Sequence, residues 1–427
     1  MAAHFQYSAY FIDRRTLHGG YISMRDRTCN GHSGSTVYFI WENRAVDSDT
    51  DRRSGNHCLR NSILYYHEKT YFTEREGRDP GSLQHGILIR NGCHDPKNLK
   101  GTICLEGIGA LLYSFRFVPE FGVVKGIGYS VFHAVSAFCN AGIDILGDSS
   151  FIPYADSVVV NFTTILLVVL SGLGFTVWQD LGQNLKKVWK KELELRRLFK
   201  KLRLHSKIVL IMTSVLIVSG TLAFLLLEYN NPGTIGDMSF GEKLMSSLFH
   251  SVSTRTAGFA TVPQGELTQG TMFTTCILMF IGGSPGGTAG GVKTTTIAML
   301  ILCCVSVLQN KKDVECFGRR IQADNIRTGI CVVILAFVSL LAGTTLLTIF
   351  EGDVDFIRIM YETTSAIGTV GLSADLTSQL CTASKFVIMV LMYIGRLGPI
   401  TFALAFGTGR KSKNHIRQLP VQGILIG

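Results

Sequence analysis

The sequence has 427 residues, of which 47% are hydrophobic and only 17% are charged, and its formal net charge is +10. Soluble globular domains usually contain about 25% charged residues, so this composition favours a membrane protein over a soluble one. The basic residues lie in short runs between apolar segments and not on one folded face. This pattern argues against nucleic acid as a partner and for a lipid bilayer.

Residues 1–103 differ from the rest of the chain. They contain no apolar run long enough to span a bilayer and no sustained helical or strand periodicity. The apolar core of a secretory signal peptide is missing as well. We interpret residues 1–103 as an atypical polar segment that is either disordered or the product of a shifted reading frame.

Apolar runs dominate the chain after residue 104. Several of them approach the ~20 residues that an α-helix needs to cross a hydrocarbon core of ~30 Å. They predict an all-α integral membrane protein, and a shorter run at 105–117 is predicted to be the later part of a further helix. The full-length runs lie at residues 158–177, 208–227, 272–281 with 297–308, 329–350 and 384–407.

The charges between the runs predict the topology. The connections at 186–207 and 311–327 and the stretch at 410–413 are basic, whereas the alternate connections contain acidic residues such as Asp144, Glu228 and Glu351. By the positive-inside rule the basic connections are cytoplasmic. The runs then pair as hairpins with long outer links, as in a multi-pass protein of the plasma membrane.

Three of the outer links contain a similar segment, at 130–144, 247–261 and 358–373. Each has about ten moderately apolar residues, too few to span a bilayer, followed by a small or polar stretch that ends in a glycine. The glycines Gly142, Gly258 and Gly371 are 116 and 113 residues apart, which indicates an internal repeat. We interpret the segments as re-entrant loops whose backbone carbonyls can replace the hydration shell of an ion. Ordinary surface loops are the alternative, which the threefold recurrence disfavours.

A glycine-rich stretch at 282–296 interrupts the run that starts at Met272. It cannot form a regular helix, because six glycines and Pro285 lie within ten residues. A phosphate-binding loop requires the last glycine directly before the lysine, whereas Val292 separates Gly291 from Lys293 here. A flexible insertion beneath the filter, able to block or open the pore, fits better.

Arg396 lies near the middle of the last apolar run. An arginine at that depth is energetically unfavourable and by default faces a cavity or a partner. Snorkelling to an interface is the alternative, but about a dozen residues separate Arg396 from each end of the run. We expect Arg396 to line the pore beneath the filter, opposite the glycine-rich insertion, as a barrier to cations.

The order of these motifs resembles the Trk/Ktr/HKT superfamily of potassium-uptake proteins, and most closely the bacterial Ktr-type membrane subunit. The resemblance covers about 104–427 and rests on the stretches AFCNAG, STRTAGF, MFIGGSPGGTAGGVKTTT, SAIGTVGLS and YIGRLGP. It implies four helix–pore-loop–helix repeats around a single, potassium-channel-like pore. Three repeats are legible, while the first repeat, expected before residue 104, is not. The closing residues ILIG also resemble the end of such subunits.

The resemblance implies roles for individual residues. Arg396 would be the arginine that faces the gating loop, and a monovalent cation, potassium, would bind only at the filter. The selectivity filter would comprise Asn140, Ala141, Gly142, Thr256, Ala257, Gly258, Thr369, Val370 and Gly371. The intramembrane gating loop would comprise Gly282, Gly283, Ser284, Pro285, Gly286, Gly287, Thr288, Ala289, Gly290 and Gly291.

The resemblance also implies partners. Such proteins are homodimers that rest on a cytosolic nucleotide-binding regulatory subunit, so we expect no cofactor in this chain, potassium as its substrate, and nucleotide only on the separate subunit. The basic cytoplasmic connections would meet that partner, or anionic lipid.

The leading prediction is therefore potassium uptake without covalent chemistry, because the membrane part has no catalytic constellation. The alternatives are a sodium-permeable or sodium-coupled transporter and a non-conducting, truncated or frame-shifted product. The predicted organisation is the polar segment at 1–103, repeat two at 104–184, a basic cytoplasmic linker at 185–207, repeat three with the gating loop at 208–308, a cytoplasmic linker at 309–327, repeat four at 328–408 and a cytoplasmic tail at 409–427.

Overall fold

The computed structural model describes residues 96–398 except residues 148, 193 and 312. The predictions for residues 1–95 and for the tail at 409–427 lie outside the described residues. The helices are α1 Pro96–Phe121, α2 Val123–Phe138, α3 Val158–Leu173, α4 Phe175–Trp189, α5 Leu198–Lys201, α6 Leu204–Glu228, α7 Phe240–Ser253, α8 Gln269–Phe280, α9 Thr294–Leu308, α10 Ala323–Phe350, α11 Phe356–Gly368 and α12 Thr382–Leu397. A two-stranded antiparallel hairpin, β1 Glu315–Cys316 and β2 Arg319–Arg320, pairs Glu315 with Arg320.

The helices form three consecutive units of a long helix, a short helix and a return helix. In repeat two these are α1, α2 and α3; in repeat three α6, α7 and the interrupted pair α8–α9; in repeat four α10, α11 and α12. By length and composition α1, α6 and α10 are able to cross a membrane, and the bent pair α3–α4 passes the same test as one span. This architecture agrees with the predicted all-α membrane fold.

Helix α1 begins earlier than the apolar run 105–117. It starts at Pro96, so the boundary predicted at residue 104 falls inside the helix. Its first turns are polar, and Asn98 there accepts a hydrogen bond from the Gln179 side chain of α4 at 3.2 Å. Hydropathy alone finds only the apolar part of a helix whose polar start packs against another helix.

The run 158–177 does not form one helix, contrary to the prediction. Helices α3 and α4 meet at a bend of 98° at Gly174. Gly174 has φ 90 and ψ 147, a backbone conformation that L residues rarely adopt. An added Cβ at Gly174 would lie 2.5 Å from the Pro285 carbonyl oxygen, so the glycine-rich insertion occupies the space beside the bend.

Two glutamates at the C-terminal ends of α6 and α10 tie each of these two helices to the start of its return helix. Glu228, fully buried, accepts hydrogen bonds from the Thr268 amide and hydroxyl at the start of α8. Glu351 accepts from the Cys381 amide at the start of α12 at 2.7 Å. Partial burial raises the pKa of Glu351, but the hydrogen bonds from Cys381 and Ser384 outweigh it, so the pKa lies below its ordinary value.

The three short helices differ in burial. The last two turns of α7 and α11 are buried throughout, from Ser246 and Tyr361 onward apart from Leu248. Helix α2 instead exposes an apolar stripe at helical spacing. The stripe consists of Val124 (86% exposed), Ile127 (50%), Val131 (49%) and Val135 (38%).

Candidate functional site

The segments after the three short helices share one backbone pattern. Each has a residue with positive φ, then one with negative φ, then a glycine with positive φ. The positive values are φ 50 at Asn140 and 58 at Gly142, 75 at Thr256 and 78 at Gly258, and 51 at Thr369 and 90 at Gly371. Positive φ is uncommon outside glycine, so three such non-glycine residues at equivalent positions indicate a shared purpose. This alternation turns successive peptide planes so that neighbouring carbonyl oxygens can face one side.

A serine in the last turn of each short helix holds the segment that follows. The Ser136 hydroxyl donates to the carbonyl oxygen of Ile143 at 2.6 Å, and the Ser253 hydroxyl donates to that of Phe259. In repeat four the direction reverses, since the Gly371 amide donates to the Ser365 hydroxyl at 3.1 Å. These bonds fix the backbone at or directly after each predicted filter glycine. No role was predicted for these serines, although their nearly constant spacing before the glycine was a signal.

Helices α2, α7 and α11 end at Phe138, Ser253 and Gly368, directly before these segments. The C-terminal end of a helix carries partial negative charge, which favours a cation in front of it. The three segments therefore present both carbonyl oxygens and helix ends.

The glycine-rich insertion joins α8 to α9 and folds back on itself. Ile281 and Val292 form a parallel bridge, and the Gly282 amide donates to the Val292 carbonyl at 2.9 Å. Gly283 then donates to Gly290 at 3.3 Å. The insertion is thus an ordered loop with its own backbone hydrogen bonds.

The insertion also binds the bend between α3 and α4. The Ser284 amide donates to the Gly172 carbonyl, and the Phe175 amide donates to the Gly286 carbonyl, each at 3.1 Å. A sharp bend deprives backbone groups of helical partners, and at membrane depth these groups require other ones. The loop supplies them, which explains why the bend occurs where it does.

Thr288, at the tip of the insertion, connects three elements. The Asn140 amide group donates to the Thr288 hydroxyl at 3.0 Å, and that hydroxyl lies 3.3 Å from the Phe138 carbonyl. The Arg396 guanidinium donates to the Thr288 carbonyl at 3.2 Å. The structure therefore brings together a predicted filter residue, the predicted gating loop and the predicted arginine.

Arg396 sits at a helix end and not within a continuous helix over 384–407. Helix α12 ends at Leu397, and Gly398 follows with φ 89. Pro399, the next residue in the sequence, lacks an amide donor and cannot continue a helical ladder. The Arg396 side chain is exposed within the described part of the chain, where it reaches Thr288.

Two buried charged side chains beside the predicted filter were not singled out from the sequence. Arg255 directly precedes Thr256 and is only 7% exposed, with its guanidinium 3.4 Å from the Thr213 hydroxyl of α6. Glu362 on α11 is 5% exposed and accepts hydrogen bonds from the segment after Gly371. Among the described residues there is no cluster of histidine, cysteine or acidic side chains that would hold a metal ion.

Repeated helix–loop–helix units with left-handed glycines after short helices define a membrane protein of the pore-loop class. Residues 102–416 match the TrkH family, described as a cation transport protein, and the chain belongs to that family. The predicted resemblance is thereby confirmed. The chain is a multi-pass plasma-membrane protein from a family of ion transporters, not of enzymes.

Individual relatives support this assignment. The chain is 38% identical over 311 residues to the Ktr system potassium uptake protein B of Bacillus subtilis, across 73% of this chain and 67% of the relative. It is 36% identical over 338 residues to the potassium/sodium uptake protein NtpJ of Enterococcus hirae, across 77% and 70%. The chain thus spans about two thirds of the length of the curated relatives it matches.

A solved structure shares the fold. The crystal structure of the potassium transporter TrkH from Vibrio parahaemolyticus aligns with a TM-score of 0.56 at 17% identity, across 76% of this chain and 68% of the other.

Proposed function

We propose that this chain mediates potassium uptake across the plasma membrane through a pore with a glycine-based selectivity filter. The observation that carries the proposal is the threefold repetition of one backbone conformation, a left-handed residue two positions before a left-handed glycine, at the ends of three short helices. A relative from Bacillus subtilis is named a potassium uptake protein, which supports the choice of ion. Potassium is the substrate and not a resident cofactor.

In this proposal the filter comprises the three tripeptides that end at Gly142, Gly258 and Gly371. Their carbonyl oxygens replace the water shell of the ion, and the serine hydrogen bonds keep those carbonyls in place before an ion arrives. The ends of α2, α7 and α11 lower the energy of the cation there.

The loop 282–291 acts as the gate. The hydrogen bond between Asn140 and Thr288 at its tip supports this role, because it holds the loop against the segment of repeat two. Arg396 adds a positive charge at the same place, which opposes the passage of a cation. Opening then requires the contacts of Thr288 with Asn140 and Arg396 to break.

Sodium transport is the second candidate. The relative from Enterococcus hirae is named a potassium/sodium uptake protein. A sodium-permeable or sodium-coupled pore would use the same three segments with weaker discrimination. The third candidate is a folded protein that does not conduct.

We further propose that the chain functions as a homodimer with a cytosolic nucleotide-binding regulatory subunit. The exposed basic side chains around α5 and the β-hairpin support a cytoplasmic docking surface. In that region the Lys207 ammonium lies over the rings of Phe199 and Phe317 in cation–π contacts. These contacts connect the two cytoplasmic linkers.

Ion flux into proteoliposomes that contain the purified chain tests the proposal. We expect uptake of potassium, and of rubidium as a tracer, that excess sodium does not inhibit. Inhibition by sodium, or sodium flux of equal size, would favour the second candidate. Absence of all flux from protein that is inserted and monodisperse would contradict conduction by this chain alone.

A further inference from the structure

Glu362 is a buried carboxylate on α11, the short helix of repeat four, with only 5% of the residue exposed. Both of its oxygens accept hydrogen bonds. Oε1 accepts from the Ser373 hydroxyl and from the Ala374 amide at 3.1 Å, and Oε2 accepts from the Thr377 hydroxyl at 2.8 Å. Hydrogen bonds donated to both oxygens favour the ionised form of the carboxylate, against the effect of burial.

Glu362 lies next to the residues that follow the predicted filter segment of repeat four. Glu362 and Ser365 are three residues apart and therefore share one face of α11. Ser365 binds the amide of Gly371, the last residue of the predicted filter segment. One turn outward, Glu362 binds the residues that follow, Ser373 to Thr377.

No positive side chain compensates this carboxylate in the part of the chain that the structure describes. The salt bridges found there do not include Glu362. Arg358, one turn earlier on α11, directs its guanidinium to the Gly265 carbonyl at 3.3 Å instead. Neutral donors satisfy the hydrogen bonds of the carboxylate, but they do not cancel its charge, and a buried uncompensated charge is costly.

We infer that the counter-charge of Glu362 is a monovalent cation bound in the filter, so that Glu362 is a positioning residue that raises the affinity of the outer part of the filter for that cation. The inference rests on the proposed function, because it places a cation in the filter. It assigns Glu362 two linked tasks: the hydrogen bonds hold the outgoing backbone, and the charge attracts the ion.

The expected size of the effect follows from Coulomb's law. At a separation of about 10 Å and an effective dielectric constant of about 20, two opposite unit charges interact strongly enough to change a binding constant about tenfold. A shorter separation increases the factor. Loss of the charge should therefore weaken cation binding by about tenfold or more.

Glu362→Gln is the informative change. Glutamine has nearly the same shape, its amide oxygen can still accept from Ser373 and Ala374, and its amide group can donate to the Thr377 hydroxyl. The variant removes the charge and keeps the hydrogen bonds that hold the backbone after the filter segment. Glu228→Gln is the matched control, because Glu228 is equally buried and neutral donors also satisfy it, but it binds the start of α8 and not the filter segment.

The experiment measures the thermal unfolding midpoint of the detergent-purified chain as potassium chloride replaces N-methyl-glucamine chloride at constant ionic strength. A ligand that binds only the folded state raises the midpoint, and the concentration dependence gives the apparent potassium Kd. We expect Glu362→Gln to raise that Kd about tenfold or more. Glu228→Gln should lower the midpoint without changing the Kd.

Two outcomes would overturn the inference. One is an unchanged potassium Kd in Glu362→Gln, which would leave Glu362 as a brace only. The other is the absence of potassium-dependent stabilisation in the unaltered chain. Potassium flux is measured separately. Potassium binding that depends on Glu362, without flux, would reject the proposed function and support the inference. Potassium flux together with a Kd that is the same in Glu362→Gln and the unaltered chain would support the proposed function and reject the inference.

Discussion

At the scale of single residues, the conformation of the predicted filter segments is energetically unfavourable at three non-glycine residues. Asn140, Thr256 and Thr369 all have positive φ, which costs about 1–2 kcal/mol for an L residue. Local hydrogen bonds offset part of this cost, as in repeat two, where the Ala141 amide donates to the Ser136 carbonyl at 2.8 Å. Such strain persists only where the surroundings determine it, and it is typical of functional sites.

Substitution of a filter glycine should therefore harm function more than folding. Gly258→Ala places a methyl group on a residue with φ 78, which is unfavourable by about 1–2 kcal/mol, so the segment should relax and lose discrimination between potassium and sodium by about tenfold. The measurement is the ratio of potassium to sodium uptake in proteoliposomes.

Gly107→Ala is the control for this change. Gly107 lies in α1 with open space around an added Cβ, so alanine should leave the uptake ratio unchanged. Equal ratios in Gly258→Ala and the unaltered chain would show that the left-handed conformation of Gly258 does not contribute to selectivity.

At the scale of elements, the predicted gating loop at 282–291 is held from two sides. Ser284 and Gly286 bind the bend at Gly174, and Thr288 binds the end of α2 and Arg396. The loop therefore cannot move without a change at the bend or at the tip. Helix α4 begins directly after the bend and leads into the basic connection, so it is linked through the bend to the glycine-rich insertion.

Removal of the arginine should open the gate. Arg396→Ala deletes the hydrogen bond to the Thr288 carbonyl and the positive charge beneath the filter, and we expect a severalfold increase in potassium flux into proteoliposomes. Arg396→Lys keeps the charge but loses the planar guanidinium, so its flux should lie between the two. Equal flux in Arg396→Ala and the unaltered chain would contradict the assigned role.

Sequence reasoning identified most of the elements because their signals are local. Apolar length predicted α6 and α10, and the recurring glycines predicted three similar segments, each of which follows a short helix. The bend at Gly174 was missed because its partners, Ser284 and Gly286, are more than 100 residues away in the sequence. The end of α12 was missed because the apolar run continues through Gly398, whereas the helix ends at Leu397.

The candidate site likewise contains some features with a local sequence signal and others without one. The tripeptides at 140–142, 256–258 and 369–371 were predicted from the repeated segments and the family resemblance, and Arg396 from the energetic cost of an arginine at membrane depth. The hydrogen bond between Asn140 and Thr288 spans 148 residues and has no sequence signature. Glu362 was overlooked because a single glutamate in a moderately apolar helix does not reveal whether it is buried.

At the scale of the whole molecule, the positive-inside topology places two cysteines on opposite sides of the membrane. Cys381 is exposed at the start of α12, beside the outer links, and Cys316 lies in the hairpin between the cytoplasmic ends of α9 and α10. In variants that retain one of these cysteines and have serine at the others, a membrane-impermeant maleimide should label Cys381 in intact cells.

Cys316 should react only after the membrane is permeabilised. This side chain is half-buried, so its labelling in denatured protein serves as the control for reactivity. Labelling of Cys316 in intact cells, or protection of Cys381 there, would reverse the assigned orientation.

The exposed stripe of α2 concerns the molecule as a whole. The equivalent turns of α7 and α11 are buried, whereas Val131 and Val135 of α2 are exposed among the described residues. Val135 lies in the last turns of α2, shortly before Asn140. Among the described residues, α2 is therefore the short helix whose apolar stripe is available for contact with another part of the protein or with acyl chains. A bulky substitution in this stripe changes the packing about one and a half helical turns before Asn140.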